Sequence, residues 1–249
     1  MSEMFSGCSS LEFINLSDFN TKSVINMSGM FSGCNLITFL DLSNFNTELV
    51  SNVSGMFSGC NLIKSLNLSS FNTKSTTDMS NMFLGCSSLE FIDLSNFNTE
   101  LVSNISGMFS GCNLIKSLNL SSFNTLNTID MSEIFYDCNN LEILDISNFD
   151  TAKFDSYNNM FSNYANLKYI DIKNLKNDNI FKDSFNNSKL FYVCHSMVLI
   201  RNYYAFNCCV YDIENHECDY IPPSTTILET TIINEPSFPN QTTEYFSNN

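Results

Sequence analysis

Ser54-Gly55-Met56-Phe57-Ser58-Gly59-Cys60-Asn61-Leu62-Ile63-Lys64-Ser65-Leu66-Asn67-Leu68-Ser69-Ser70-Phe71 decides the fold, because close copies of it recur every 26 residues. One step back stands Ser28-Gly29-Met30-Phe31-Ser32-Gly33-Cys34, and one step forward Ser80-Asn81-Met82-Phe83-Leu84-Gly85-Cys86. Cysteine keeps the interval at Cys8, Cys34, Cys60, Cys86, Cys112 and Cys138. Phenylalanine forms two columns, Phe5 to Phe161 and Phe19 to Phe149, and methionine another, Met4 to Met160, in which Ile134 substitutes once. Residues 41–73 and 93–125 differ only at Val53 against Ile105, a longer period of 52 that marks a duplicated pair of turns. A unit of this size cannot bury its apolar face alone, so equal units must stack and share one continuous core. The seventh turn carries Tyr164 in place of cysteine and Leu175 in place of phenylalanine, so regularity decays toward the C-terminus.

Within each unit the apolar pattern runs Leu11, Ile14, Leu16, Phe19, and six steps later Leu167, Ile170, Ile172, Leu175. Alternation at its centre predicts a short strand with one face buried. Such a strand at this interval is the leucine-rich-repeat pattern, with phenylalanine where Asn or Cys is usual. Opposite it, the serines Ser2, Ser28, Ser54, Ser80, Ser106 and Ser132 suit helix N-caps. Gly7, Gly33, Gly59, Gly85 and Gly111, followed by Asp137 and Asn163, suit a left-handed closing residue. A single helical or 3₁₀ turn is expected between them. The expected fold is therefore a leucine-rich-repeat-like solenoid over residues 1–175, its first repeat incomplete, with a parallel sheet of one strand per turn. Residues 176–220 are expected to form an irregular, cysteine-containing cap. Residues 221–249, with Pro222, Pro223, Pro236 and Pro239 among many Thr and Ser, suit a linker or disordered tail.

Strand positions between the buried ones face outward and are the candidate binding residues. One such column holds Phe13, Phe39, Phe91, Ile143 and Tyr169, with serine at the remaining turns; the other holds Asn15, Asp41, Asp93, Asp145 and Asp171, with asparagine between. Exposed aromatics beside acids and amides suit contact with protein or glycan, although stacking along the sheet would also account for them. Asp145 beside Asp171 invites a calcium site, but a solvated acidic edge explains the pair more simply. The threonine column Thr21, Thr47, Thr73, Thr99, Thr125 and Thr151 invites an ice-binding reading; side-chain bonds that hold a turn are the expectation. The repeated cysteines are expected to be buried free thiols. Cys194, Cys208, Cys209 and Cys218 lie outside the repeat and are candidate disulfide partners with three connectivities. With His195 and His216 they could hold zinc, but no familiar ligand spacing is present, so no metal is expected.

Composition narrows the function further. A formal net charge of −15, with 15 % charged residues, argues against nucleic acid and anionic membranes. No window of about 20 apolar residues exists, so no membrane insertion is expected. Only two histidines occur, and no nucleophile elbow, P-loop or zinc-protease motif, so neither catalysis nor a cofactor is expected. The chain opens in mid-turn, since Ser2-Glu3-Met4-Phe5 aligns with Ser28-Gly29-Met30-Phe31, and without a signal peptide; a truncated start is the expectation.

Written as a consensus, Phe-Asn-Thr-x-x-Val-x-Asn-Val/Ile-Ser-Gly-Met-Phe-Ser-Gly-Cys-x-x-Leu/Ile-x-x-Leu-x-Leu-Ser-x-Phe closely resembles the repeat of BspA-like leucine-rich-repeat surface proteins. The resemblance covers residues 1 to about 175. It implies a secreted or cell-surface scaffold that adheres to host or neighbouring-cell protein or glycan. An intracellular protein-interaction module, in the cytoplasm, is the competing expectation, supported by the many cysteines without obvious partners.

Overall fold

A computed structural model describes residues 1–150, 153, 156, 158–162 and 166–172, together with the backbone of three later strands, Leu190–Ile200, Tyr203–Asp212 and Glu217–Tyr220. Successive coils advance by the sequence period. A line of parallel bridges joins Asn26, Asn52, Asp78, Asn104, Asp130 and Ser156, each to the next. On another side of the coil lie β1 (Ser65–Leu66), β2 (Phe91–Ile92), β3 (Ser117–Asn119), β4 (Ile143–Asp145) and β5 (Tyr169–Asp171). β1 pairs with β2, β3 with β4, and β4 with β5, all parallel and with every residue beside its equivalent one repeat away. The expected solenoid, with one short parallel strand per turn, is what the chain forms.

The stretch opposite the strands is not helical; no helix occurs among the described residues. Alternate N–H groups there leave the coil altogether: Gly29, Phe31 and Gly33 donate to the carbonyls of Ser54, Met56 and Ser58 in the next coil, at 2.7–2.9 Å. The N–H groups between them close three overlapping β-turns, Met30 to Met27, Ser32 to Gly29 and Cys34 to Phe31. A helix would need all of these donors for its own carbonyls. Gly33 lies at φ +74, as expected for its column, and Asp137 in the same column at +60. A second left-handed column was not anticipated: Glu3, Gly29, Gly55, Asn81, Gly107, Glu133 and Asn159 all have φ between +55 and +61. Two left-handed residues four apart cannot belong to a right-handed helical turn. The serines read as N-caps instead donate their N–H, as Ser54 does to Asn52 Oδ1 at 2.8 Å.

Like packs on like through the interior. The rings of Phe5, Phe31, Phe57, Phe83, Phe109, Phe135 and Phe161 stack at centroid separations of 5.5–6.1 Å. Methionine, leucine, isoleucine and the second phenylalanine column fill the rest of one buried cluster. Buried polar atoms are matched to coil-to-coil bonds. Thr73 Oγ1 donates to the Asn98 carbonyl at 2.8 Å and accepts the Asn98 N–H at 2.8 Å, and the other described threonines of the column do the same. These threonines are about 2 % exposed, so their hydroxyls face the stack and not the solvent, which removes the basis of an ice-binding array. Thr151, Asn163, Tyr164 and Leu175 lie outside the described residues, as do residues 176–189 and 221–249.

Where an irregular cap was expected, the chain forms three strands. β6 (Leu190–Ile200) continues the sheet parallel to β5, β7 (Tyr203–Asp212) returns antiparallel to it, and β8 (Glu217–Tyr220) follows. The reason is propensity: Leu190-Phe-Tyr-Val-Cys and Tyr203-Tyr-Ala-Phe are rich in the aromatic and β-branched residues that favour strands, a signal independent of the 26-residue period.

Four substitutions measured by urea unfolding check this description. Phe83→Ala should cost about 3–5 kcal/mol, whereas Phe13→Ala, on an exposed ring, should stay within about 0.5 kcal/mol. Thr73→Val removes both coil-to-coil bonds of its hydroxyl and should cost about 1–3 kcal/mol. Glu133→Gly should instead stabilise the chain by about 1 kcal/mol, because glutamate at φ +58 carries a steric cost that glycine lacks.

Candidate binding face

Parallel register decides which residues share the outer side of the sheet. Leu66, Ile92, Leu118, Leu144 and Ile170 point into the core and are buried. Their flanking neighbours therefore face out. One outer column runs Phe13, Phe39, Ser65, Phe91, Ser117, Ile143, Tyr169, and the other Asn15, Asp41, Asn67, Asp93, Asn119, Asp145, Asp171. The register of β1 to β5 thus places Phe91, Asp93, Ile143, Asp145, Tyr169 and Asp171 on one face, and Phe13, Asn15, Phe39 and Asp41 precede β1 in the same two columns. They are not equally available: Phe13 is 73 % and Phe39 51 % exposed, while Phe91, Ile143 and Tyr169 are half-buried. Between Phe91 and Ile143 the Ser117 hydroxyl is buried with no hydrogen-bond partner, a cost of placing a serine under two larger side chains.

The acid and amide column has a structural task that the sequence reading missed. Asn15, Asp41, Asn67, Asp93, Asn119 and Asp145 each accept, through Oδ1, the N–H of the serine two residues on, at 2.9–3.1 Å. This side-chain turn ends the strand and starts the next bend. The signal was present as the repeated Asn/Asp-x-Ser spacing. The bonds from the Ser43 hydroxyl and N–H hold the Asp41 carboxyl below its usual range, so it is charged at neutral pH. At the other end of the face, burial first, then the Asp171 and Asp145 carboxylates, push the Tyr169 phenol well above its usual range, so it remains a neutral donor. Among the described residues, no cluster of three or more His, Cys, Asp or Glu side chains could hold a metal ion, and no helix is long and apolar enough to cross a membrane.

Beside the face runs a column of alternating charge that was also missed: Glu12, Thr38, Lys64, Glu90, Lys116, Glu142, Lys168. Lys64 meets Glu90 at 3.2 Å and Lys168 meets Glu142 at 2.7 Å. Alternation puts opposite charges on neighbouring rungs, where like charges would repel. These exposed pairs set local register and contribute little stability.

The cysteine column lies behind the face. Cys34, Cys60, Cys86 and Cys112 are buried free thiols, Cys138 is buried in the same column, and Cys8 on the first coil is exposed. Each buried Sγ donates to the carbonyl of a phenylalanine in the preceding coil, as Cys86 does to Phe57 at 3.2 Å. Desolvation pushes the thiols of Cys34, Cys60, Cys86 and Cys112 up, Cys34 to about 11 and Cys86 to about 12. They are packing residues, without the thiolate character that reactivity needs. Cys194, Cys208, Cys209 and Cys218 lie on β6–β8, where the described structure is the backbone alone.

Native alkylation should therefore label Cys8 and leave Cys34 to Cys138 unlabelled until unfolding, as read by peptide mass. Stability should also depend on pH above neutrality. The folded state keeps its thiol protons while the unfolded chain releases them near 9.0, so stability is full below that pH and falls as pH rises toward about 12. Chemical denaturation across that range measures the decline.

The family model described as "Mycoplasma protein of unknown function, DUF285" matches residues 1–92 and again 77–196, most of the chain, and the chain belongs to that family. No curated protein and no solved structure matches it.

Proposed function

We propose that this member of the DUF285 family is a non-catalytic scaffold whose outer strand face binds a macromolecular partner, protein or glycan, in adhesion at the cell surface. The observation that carries the reading is the exposure of Phe13 and Phe39 in the coils that precede β1, in the column that continues through Ser65 to the half-buried Phe91, with Asp41 and Asp93 in the column beside it. Exposed aromatics close together on a protein surface mark interaction sites, and rings anchored on a packed coil lose little freedom on binding. The stack supplies such positions at fixed intervals, which suits an extended partner. The resemblance of the repeat to BspA-like surface proteins supports the surface setting.

The test uses the full chain against immobilised extracellular-matrix proteins and glycans, with saturable binding as the readout. Phe39→Ser copies the serine already present at Ser65 in the same column and should leave the unfolding midpoint unchanged. It should weaken binding about tenfold or more, as expected for an aromatic anchor. Leu49→Ser and Leu101→Ser, exposed residues outside the two face columns, should leave binding intact. Binding that ignores Phe39, or no saturable binding to any surface, overturns the proposal.

A further inference from the structure

The register of β6–β8 sorts four cysteines whose pairing composition leaves open. Cys194 on β6 stands directly opposite Cys208 on β7. Residues opposed in this way hold their Cα atoms about 4.5–5.5 Å apart, inside the roughly 4.4–6.8 Å that a disulfide spans. Cys209 follows Cys208 and so belongs to the other face of the sheet. Cys218 on β8 pairs with Tyr211, two residues from Cys209. That puts Cys218 on the face of Cys209, in a diagonal position about 7–8 Å away, beyond direct bridging.

Continuity with the coils identifies the two faces. Cys194 pairs with Asp171, so Cys194 and Cys208 extend the outer column of Asn119, Asp145 and Asp171. Val193 pairs with Ile170 on one side and Cys209 on the other, so Cys209 extends the core column of Leu118, Leu144 and Ile170. We propose that Cys194 and Cys208 form a disulfide on the outer face of the terminal hairpin, while Cys209 and Cys218 remain thiols on the core side. The same division argues against a zinc site built from all four cysteines, since the two pairs belong to opposite faces.

The step needs a disulfide-bearing thiol oxidant. The thiolate of one cysteine attacks the oxidant's S–S bond, forming a mixed disulfide and releasing one oxidant thiol. The second cysteine's thiolate then displaces the other oxidant sulfur as the Cys194–Cys208 bond forms. Two electrons and the two cysteine protons end on the oxidant, which leaves as two thiols. The product pins β6 to β7 beside the register shift between Cys194 and Met197, where the parallel stack gives way to an antiparallel hairpin. This assignment does not depend on whether the outer face binds a partner.

The test is made on the full chain equilibrated with oxidised and reduced glutathione. Native alkylation, then alkylation after denaturation, then reduction and a third label sort the ten cysteines by peptide mass. The expected map has Cys194 linked to Cys208, Cys8 labelled in the native protein, and Cys209 and Cys218 labelled on denaturation without reduction. Ten free thiols, a bond from Cys194 or Cys208 to Cys209 or Cys218, or a bond joining Cys209 to Cys218 overturns the assignment. Cys194→Ser gives a second arm: Cys208 should become a free thiol, and its appearance in a bond with Cys209 or Cys218 would equally overturn it.

Discussion

Each N–H that crosses between coils finds its carbonyl 26 residues away, give or take one, as from Gly29 to Ser54 or from Ser51 back to Ile25. That constant offset is the constraint on which the rest of the structure depends. One extra residue in a coil would displace every later donor from its acceptor and turn each strand residue to the opposite face. Equal coil length thus keeps the buried columns in line, and the columns in turn make length costly to change. The phenylalanine, methionine and cysteine ladders follow from this: with register held, the best neighbour for a side chain is a copy of itself.

Composition follows from the same constraint. A stack of bends leaves many backbone groups that neither a helix nor a long strand can satisfy, and short polar side chains complete the inventory. Asparagine and aspartate close turns at Asn26, Asn46 and Asn67 alike, by accepting the N–H two residues on. Threonine bridges adjacent coils through a hydroxyl that both donates and accepts. The abundance of Asn, Ser and Thr is therefore structural. So is the position of much of the acidic charge, because an Asp can replace an Asn wherever only an acceptor oxygen is needed, as at Asp41 and Asp93.

Much of this could be read before any coordinates. The strand, the core columns, the free thiols of the repeat and the left-handed glycines before each cysteine are periodic, and periodicity identifies equivalent positions without further chemistry. The bend at Ser28 to Cys34 was misread because a serine followed by a glycine-closed segment matches a capped helical turn as well as a run of β-turns. What separates them is a second left-handed position, and its glycines are diluted by Glu3, Asn81 and Glu133. The turn-closing task of the outer asparagines and aspartates was hidden for another reason: facing outward on a strand looks the same for a ligand contact and for a bond to the serine two residues on. β6–β8 escaped notice because they do not share the period that organised every other reading.

The outer face joins these levels. Its rings stand where they do because the core side chains between them are buried, and its acids because turns need acceptors. Any recognition by the face therefore rests on the stack beneath it. Sulfur anomalous diffraction from crystals of the full chain tests that stack most directly. The account predicts that the Sγ atoms of Cys34, Cys60, Cys86, Cys112 and Cys138 form a single row with an even advance from coil to coil, parallel to a row of methionine Sδ atoms. Sulfur positions without a common step would contradict it.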